Sequence, residues 1–270
     1  MSSSQSVVFL KLSGEIFGEG NPDNLAINPL SLSAVAKKIS KTYEDIRRLG
    51  MAGLVIVPGA GNLVRGDRFE SAGVAPDGAH RDGRLATIIN ADRMAAALTQ
   101  LDAPNVLLTA PSISYQDGKF MPLSYSAKVV GEAISANKIV IIGGGNGEDN
   151  ATTDNAVAFY AGDYARSTKA KVIVLKGTKY DGVFNEDPKT APDAKKIKSI
   201  GAPNMLADFK RYSVIDKASL QRLIDGNLSM LVYKAEAHDV AEILRSTLGG
   251  DPNSSICTTI VPYDKKPVFY

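Results

Sequence analysis

Residues 138–168, "KIVIIGGGNGEDNATTDNAVAFYAGDYARST", contain the unit that decides the fold. Positions 138–143 are an apolar run of strand length that stops at glycine. A polar loop follows, Gly145-Asn146-Gly147-Glu148-Asp149-Asn150-Ala151, and closes on Thr152-Thr153-Asp154. The pattern then predicts a helix over 154–168. Apolar runs of similar length recur at 7–12, 53–58, 105–110, 171–176, 229–234 and 257–262. Helical patterns separate most of them. Val35, Ile39, Ile46 and Leu49 share a face with Gly50 as C-cap, and 83–101, 126–136, 216–225 and 238–247 also read as helices. Continuous apolar strands alternating with helices predict an α/β chain: a mostly parallel central sheet covered on both faces, a three-layer sandwich. No internal repeat or low-complexity linker divides the 270 residues, so the chain reads as one domain, 1–270. The polar stretch 186–200 is the one segment that resembles a boundary or mobile flap.

Composition excludes several classes of function. The 31 basic and 29 acidic residues are spread along the chain and leave a formal charge of +2. No basic stripe marks a nucleic-acid partner. Tryptophan is absent, which argues against base-stacking platforms. Cys257 is the single cysteine, so no internal disulfide or Cys-based zinc cluster is expected, and in "SSICTTIVP" it reads as a small buried residue. No set of metal ligands is assigned. Residues 1–14 lack the basic and long apolar regions of a signal peptide. No stretch approaches the roughly 20 apolar residues of a membrane span. The expectation is a soluble, cytoplasmic protein with no membrane partner.

In parallel sheets ligands bind beyond the carboxyl ends of the strands, so the residues that follow each strand carry the functional signal. Lys11-Leu12-Ser13-Gly14 ends the first strand. Pro58-Gly59-Ala60-Gly61-Asn62, then Arg65-Gly66, follows the second. Gly143-Gly144-Gly145 follows the fourth, and Lys176-Gly177-Thr178-Lys179 the fifth. Glycine lets backbone N–H groups approach an anion, helix N-termini favour negative charge, and lysine or arginine neutralises phosphoryl oxygens. Each loop alone is weak evidence; four on one sheet edge point to phosphate chemistry. The chain has neither the P-loop pattern nor a G-x-G-x-x-G after its first strand.

These motifs resemble the amino acid kinase family, and within it the bacterial uridylate kinases. "LKLSGE" (10–15), "GAGNLVRG" (59–66), "LATIINADRMAAAL" (85–98), "TTDNA" (152–156), "LKGTKYDGVFNEDPKTAPDAKKI" (175–197) and "VIDKASLQRLIDGNLSMLVY" (214–233) carry the resemblance, which spans about residues 7 to 262. It implies phosphoryl transfer from ATP, with Mg²⁺, to a nucleoside monophosphate, UMP by default. Lys11 would contact the transferred group, Asp154 would organise the catalytic lysines, and Asp216 matches a family aspartate close to the site. Lys176 or Lys179 would supply the second positive charge; the spacing leaves both open. Ser13 and Gly14 would hold ATP phosphates, with Gly61 and Arg65 nearby. Thr178, Phe184 and Asp187 would hold the adenosine end. The acceptor would lie against Ala60, Asp82, Asn146, Gly147, Glu148, Thr152 and Thr153. The resemblance further implies an acceptor-binding part at about 1–150, an ATP-binding part at about 151–270, and a homo-oligomer, a hexamer in the family.

Three departures concern the acceptor side. Ala60 replaces a family glycine, which costs roughly 1–2 kcal/mol if its φ is positive. His80, read as a loop residue, stands where an acidic residue is expected on the ribose hydroxyls, with Asp82 two positions on as a substitute. Asn146 and Glu148 replace the residues that face uracil, and Asp149-Asn150-Ala151 replace Pro-Phe-Phe. Two carboxylates here would repel an incoming phosphate unless a metal or lysine intervenes, or Glu148 would accept a hydrogen bond from an amino-bearing base. The alternatives are therefore another small acceptor on the same fold, or a nucleotide-binding or storage protein without catalysis. The presence of Lys11, Asp154 and Lys176 counts against the last.

Overall fold

The computed structural model describes residues 6–18, 26–64, 76–111, 123–148, 151–212, 214–235, 239–248 and 256–270. In chain order these form β1 (Val7–Leu12), a short 3-10 turn (Gly14–Phe17), α1 (Pro29–Arg48), β2 (Gly53–Pro58), α2 (Pro76–Thr99), β3 (Asn105–Thr109), β4 (Leu123–Ser124), α3 (Ala127–Ser135) and β5 (Ile139–Gly143). There follow α4 (Thr153–Thr168), β6 (Val172–Thr178), β7 (Val183–Phe184), β8 (Lys196–Gly201), α5 (Ala202–Ala207), α6 (Lys217–Asp225), β9 (Met230–Lys234), α7 (Val240–Leu248), β10 (Cys257–Val261) and β11 (Val268–Phe269).

One sheet joins the strands in the order β11-β8-β10-β9-β6-β1-β2-β5-β3-β4, with β7 added to β8. The pairs around β1 are parallel, as expected for its unbroken apolar sequence. Antiparallel pairs occur between β9 and β10, β8 and β11, and β7 and β8. Alternation along β1 sorts its side chains to two cores. Val7 and Phe9 join Val157, Tyr160 and Leu220 on the face covered by α3, α4 and α6. Val8 and Leu10 join Ile39, Met94 and Ile243 on the face covered by α1, α2 and α7. Phe9 is fully buried, and its truncation to alanine would cost about 3–5 kcal/mol.

The strands expected at 7–12 and 53–58 form with those bounds, and the other five shift by one or two residues. The stretch 186–200 is not simply a boundary or flap. Its end supplies most of β8, whose apolar residues Ile197 and Ile200 are too few to announce a strand but are fully buried. Helix α2 begins at Pro76, earlier than the apolar pattern at 83, so His80 lies on a helix and not in a loop. Among the described residues no helix is long and apolar enough to cross a membrane.

Candidate active site

Sheet register brings two lysines together. Lys11 on β1 and Lys176 on β6 are direct partners in a parallel ladder, so their side chains leave the sheet on the same face. It is the α4 face, because Phe9 and Val174 share their parity and pack in that core. Asp154, in the first turn of α4, meets both. Its Oδ2 accepts a hydrogen bond from Lys176 Nζ, and its Oδ1 lies 3.8 Å from Lys11 Nζ. The Lys176 and Asp154 side chains are 7% and 13% exposed. Burial pushes the Lys176 ammonium below the ordinary lysine range; Asp154 opposes that shift and Lys11 reinforces it. Lys179 lies apart: its side chain is 78% exposed and pairs with Glu15 at 3.2 Å. Of the two candidates for the second charge, the structure brings Lys176 to Lys11 and Asp154.

Asp216 is the N-cap of α6. It accepts from Ser219 N at 2.8 Å and from the Ser219 and Thr152 hydroxyls at 2.5 Å each. Burial raises its pKa, but these hydrogen bonds outweigh burial and hold the carboxyl below its usual range. Thr152 is itself the N-cap of α4, accepting from Asn155 N at 3.1 Å. Asp216 thus ties together two helix N-termini, α6 and α4, and so fixes Asp154 from behind.

The loops after β1 and β2 cross backbone to backbone. A Cβ on Gly14 would sit 2.4 Å from Gly61 N and 2.7 Å from Gly59 O, so only glycine permits the crossing. Gly59 N donates to Leu12 O at 2.8 Å. A buried amide pair secures the second loop: Asn90 Nδ2 donates to Asn62 Oδ1 at 2.6 Å and to Gly59 O at 2.7 Å. Ser13, in extended conformation and making no side-chain cap bond, opens onto a cleft of about 630 Å³ with Lys11, Lys176, Gly177, Thr178 and Lys179. A second cleft of about 600 Å³ contains Tyr180, Phe184, Asp187 and Tyr212, and Val214 lines both. The Thr178 hydroxyl is engaged with Tyr180 O at 2.5 Å. Asp187 caps the next turn, accepting from Lys189 N at 2.9 Å.

A third cleft, about 280 Å³, lies at the N-terminus of α4. Ala60, Gly145, Glu148, Thr152 and Thr153 line it, facing His80, Gly83, Arg84 and Thr87 on one side of α2. Asp82 is off that row and pairs with Arg81 at 3.6 Å. Gly144, Gly145 and Gly147 take φ of +91°, +65° and +85°, the left-handed region that explains the glycine run. Ala60 does not share it, so the methyl carries no left-handed penalty. Asn146 is buried; its amide donates to Glu148 Oε2 at 2.7 Å and Asn155 Oδ1 at 2.9 Å, and accepts from Glu148 N at 3.1 Å. It shapes the loop. Arg65, Asp149 and Asn150 lie outside the described residues.

The sequence model of the amino acid kinase family matches residues 6–234. The chain belongs to the amino acid kinase family. Its relatives include the uridylate kinase of Bartonella henselae, 29% identical over 89% of this chain and 93% of that one. The uridylate kinase of Tropheryma whipplei is 31% identical over 85% and 91%. The crystal structure of UMP kinase from Bacillus anthracis superposes with a TM-score of 0.80 at 26% identity, covering 98% of both chains. The amino acid kinase fold accounts for the observed sheet with helices on both faces.

Arg222 is the functional residue that motif reading of the sequence does not reach. From α6 its guanidinium donates to Glu148 Oε2 at 2.5 Å and to Asn155 Oδ1 at 2.8 Å, and it stacks 5.1 Å from the Phe159 ring. This hydrogen bond, opposed by burial, holds the Glu148 carboxyl below its usual range. The charge of Glu148, one of the two carboxylates, is therefore answered by an arginine. Nothing in the sequence links positions 148 and 222; the one cue was an arginine on the helix that starts at Asp216.

Proposed function

We propose that this chain transfers the γ-phosphoryl group of ATP to UMP, forming UDP and ADP in the cytoplasm. The observation that carries the reading is the Lys11–Asp154–Lys176 cluster: its two lysines line the 630 Å³ cleft, and Thr152 and Thr153, just before Asp154, line the third. The relatives named uridylate kinase supply the acceptor. A phosphate oxygen of UMP attacks the γ-phosphorus, and the bond to the β,γ-bridging oxygen breaks with ADP as leaving group. Charge spreads over the three equatorial oxygens in the transition state. Lys11 and Lys176 stabilise that charge, and Asp154 aims both lysines and opposes the loss of the Lys176 proton. The crossed glycine loops offer backbone N–H groups to the phosphates from Ser13, Gly14 and Gly61. Phe184, Asp187 and Tyr212 enclose the adenosine end, while Glu148, Arg84 and His80 enclose the acceptor.

Magnesium fits as part of the nucleotide. Among the described residues no group of three His, Cys, Asp or Glu could hold an ion alone, and Mg²⁺ is commonly held by one or two carboxylates plus phosphates. Asp154 Oδ1, buried without a hydrogen-bond partner, is the carboxylate oxygen that would reach it. When bound, the ion neutralises phosphate charge. The same reading divides the chain into an acceptor-binding part at about 1–150 and an ATP-binding part at about 151–270, and extends to a homo-oligomer. Exposed Leu85 and Ile89, one turn apart on α2, support the last.

The test is ADP release from MgATP with UMP, CMP, AMP, GMP and small carboxylates in turn. UMP-dependent release is expected. Release with a non-nucleotide alone, or tight ATP binding without release, would overturn the proposal.

A further inference from the structure

The family match ends at residue 234, yet the segment after it returns to the ATP side of the sheet. Val268 and Phe269 of β11 pair with Ser199 and Ile197 of β8. On the opposite edge of β8, Ile197 and Lys196 pair with Val183 and Phe184 of β7. One short window of β8 therefore carries β11 on one edge and, on the other, the strand whose Phe184 lines the 600 Å³ cleft.

Tyr270 reinforces this arrangement. Its hydroxyl donates to Cys257 O at 2.5 Å, and its ring lies 5.3 Å from Lys196 Nζ and 5.7 Å from Lys198 Nζ. The Lys196 side chain is only 12% exposed and pairs with Asp181 at 2.8 Å. Asp181 opens the turn Asp181-Gly182-Val183-Phe184, in which Gly182 takes φ +138°. β10 grips the same turn: Val183 N donates to Thr258 Oγ1 at 2.9 Å. A lysine this little exposed needs compensation for its charge. Asp181 supplies a charge and the Tyr270 ring a negative face. Without the ring, water reaches Lys196 and its hold on the turn loosens.

We infer that Tyr270 is a positioning residue for the adenosine end of ATP, acting through Lys196 and Asp181 on the turn that presents Phe184. The inference rests on the assignment of that cleft to ATP. The test is steady-state kinetics with ATP and UMP varied separately in Tyr270→Ser, Tyr270→Phe, Asp181→Asn and Phe184→Ala. Tyr270→Ser should raise the KM for ATP about five-fold, with the KM for UMP and kcat at saturating ATP close to wild type. Tyr270→Phe keeps the ring over both lysines and should recover most of the loss. Asp181→Asn cuts the same link from the other end and should reproduce the ATP effect if the serine variant is too unstable to assay. A normal KM for ATP in the serine and Asp181→Asn variants, beside a raised one in Phe184→Ala, would overturn the inference and leave the cleft assignment standing. A normal KM for ATP in Phe184→Ala would overturn both. Equal changes in both KM values that track a lowered Tm would also overturn it.

Discussion

Asp154→Asn tests the centre of the proposed chemistry. In the intact site one carboxylate serves two cations, with Lys11 at 3.8 Å and Lys176 in direct hydrogen bond. At about 4 Å, and at the effective dielectric of protein sites, one such interaction amounts to about 4 kcal/mol. Removing one member of a buried pair costs about 3–5 kcal/mol. The amide can still accept from one lysine but supplies no charge. Lys176, 7% exposed, then faces Lys11 with no nearby counter-ion except Asp216. The cheapest escape is loss of its proton. Loss of the carboxylate's charge therefore lowers the Lys176 pKa further, in the direction in which burial already pushes it. The active form is the protonated one, so activity is present at low pH and lost as pH rises through that pKa. In wild type the loss falls below the ordinary lysine value of 10.5. In the variant it should move to lower pH, with kcat reduced about 10²–10³-fold even at the acid end. The assay is ADP release at saturating substrates from about pH 6 to pH 10. A variant with the wild-type pH profile would refute the claim that Asp154 keeps Lys176 charged.

Lys176→Ala should lower kcat about 10²–10³-fold, whereas Lys179→Ala, at an exposed ion pair, should change it less than about three-fold; the reverse order in a kcat comparison would reassign the second charge. Arg222→Met leaves Glu148 unpaired beside the acceptor. An exposed pair of this kind is worth about 1 kcal/mol, so the KM for UMP should rise about five-fold while that for ATP holds, and Glu148→Gln in the same chain should reverse most of it. An unchanged KM for UMP would mean that the pair does not govern the acceptor cleft. Gly14→Ala forces a Cβ to 2.4 Å from Gly61 N. It should abolish activity and lower stability by about 1–3 kcal/mol, read as the Tm; a folded, active variant would show that the two loops can separate.

The elements of the sheet centre are legible because β1, β2 and β5 are apolar along nearly their whole length, with Lys11 the one charged residue among them. Edge elements are not. β8 carries lysine at alternate positions, and β11 has two residues, so neither shows a period long enough to read. The lysines and Asp154 could be identified from motifs, but the choice between Lys176 and Lys179 needed the register of β6 against β1. The acceptor loop was read as a source of repulsion because the partner of Glu148 lies 74 residues away on α6. The sequence places Asn146 against the acceptor; the fold adds that its amide bonds to Glu148 in the loop and to Asn155 on α4. Sequence shows which polar groups are present; only the fold shows which of them are already satisfied.

The in-register pairing of Lys11 with Lys176 also bears on how the protein could go wrong. Side chains alternate faces along a strand, so a slip of one residue between β1 and β6 would send one lysine to the α1 side of the sheet and leave Asp154 with a single cation. The two strands lie far apart in sequence, so their alignment requires long-range closure. Catalytic turnover is then a direct reporter of strand alignment: a preparation that regains helix content and compactness but not activity would contain misaligned sheets, and the fraction of active sites would count the correctly aligned ones.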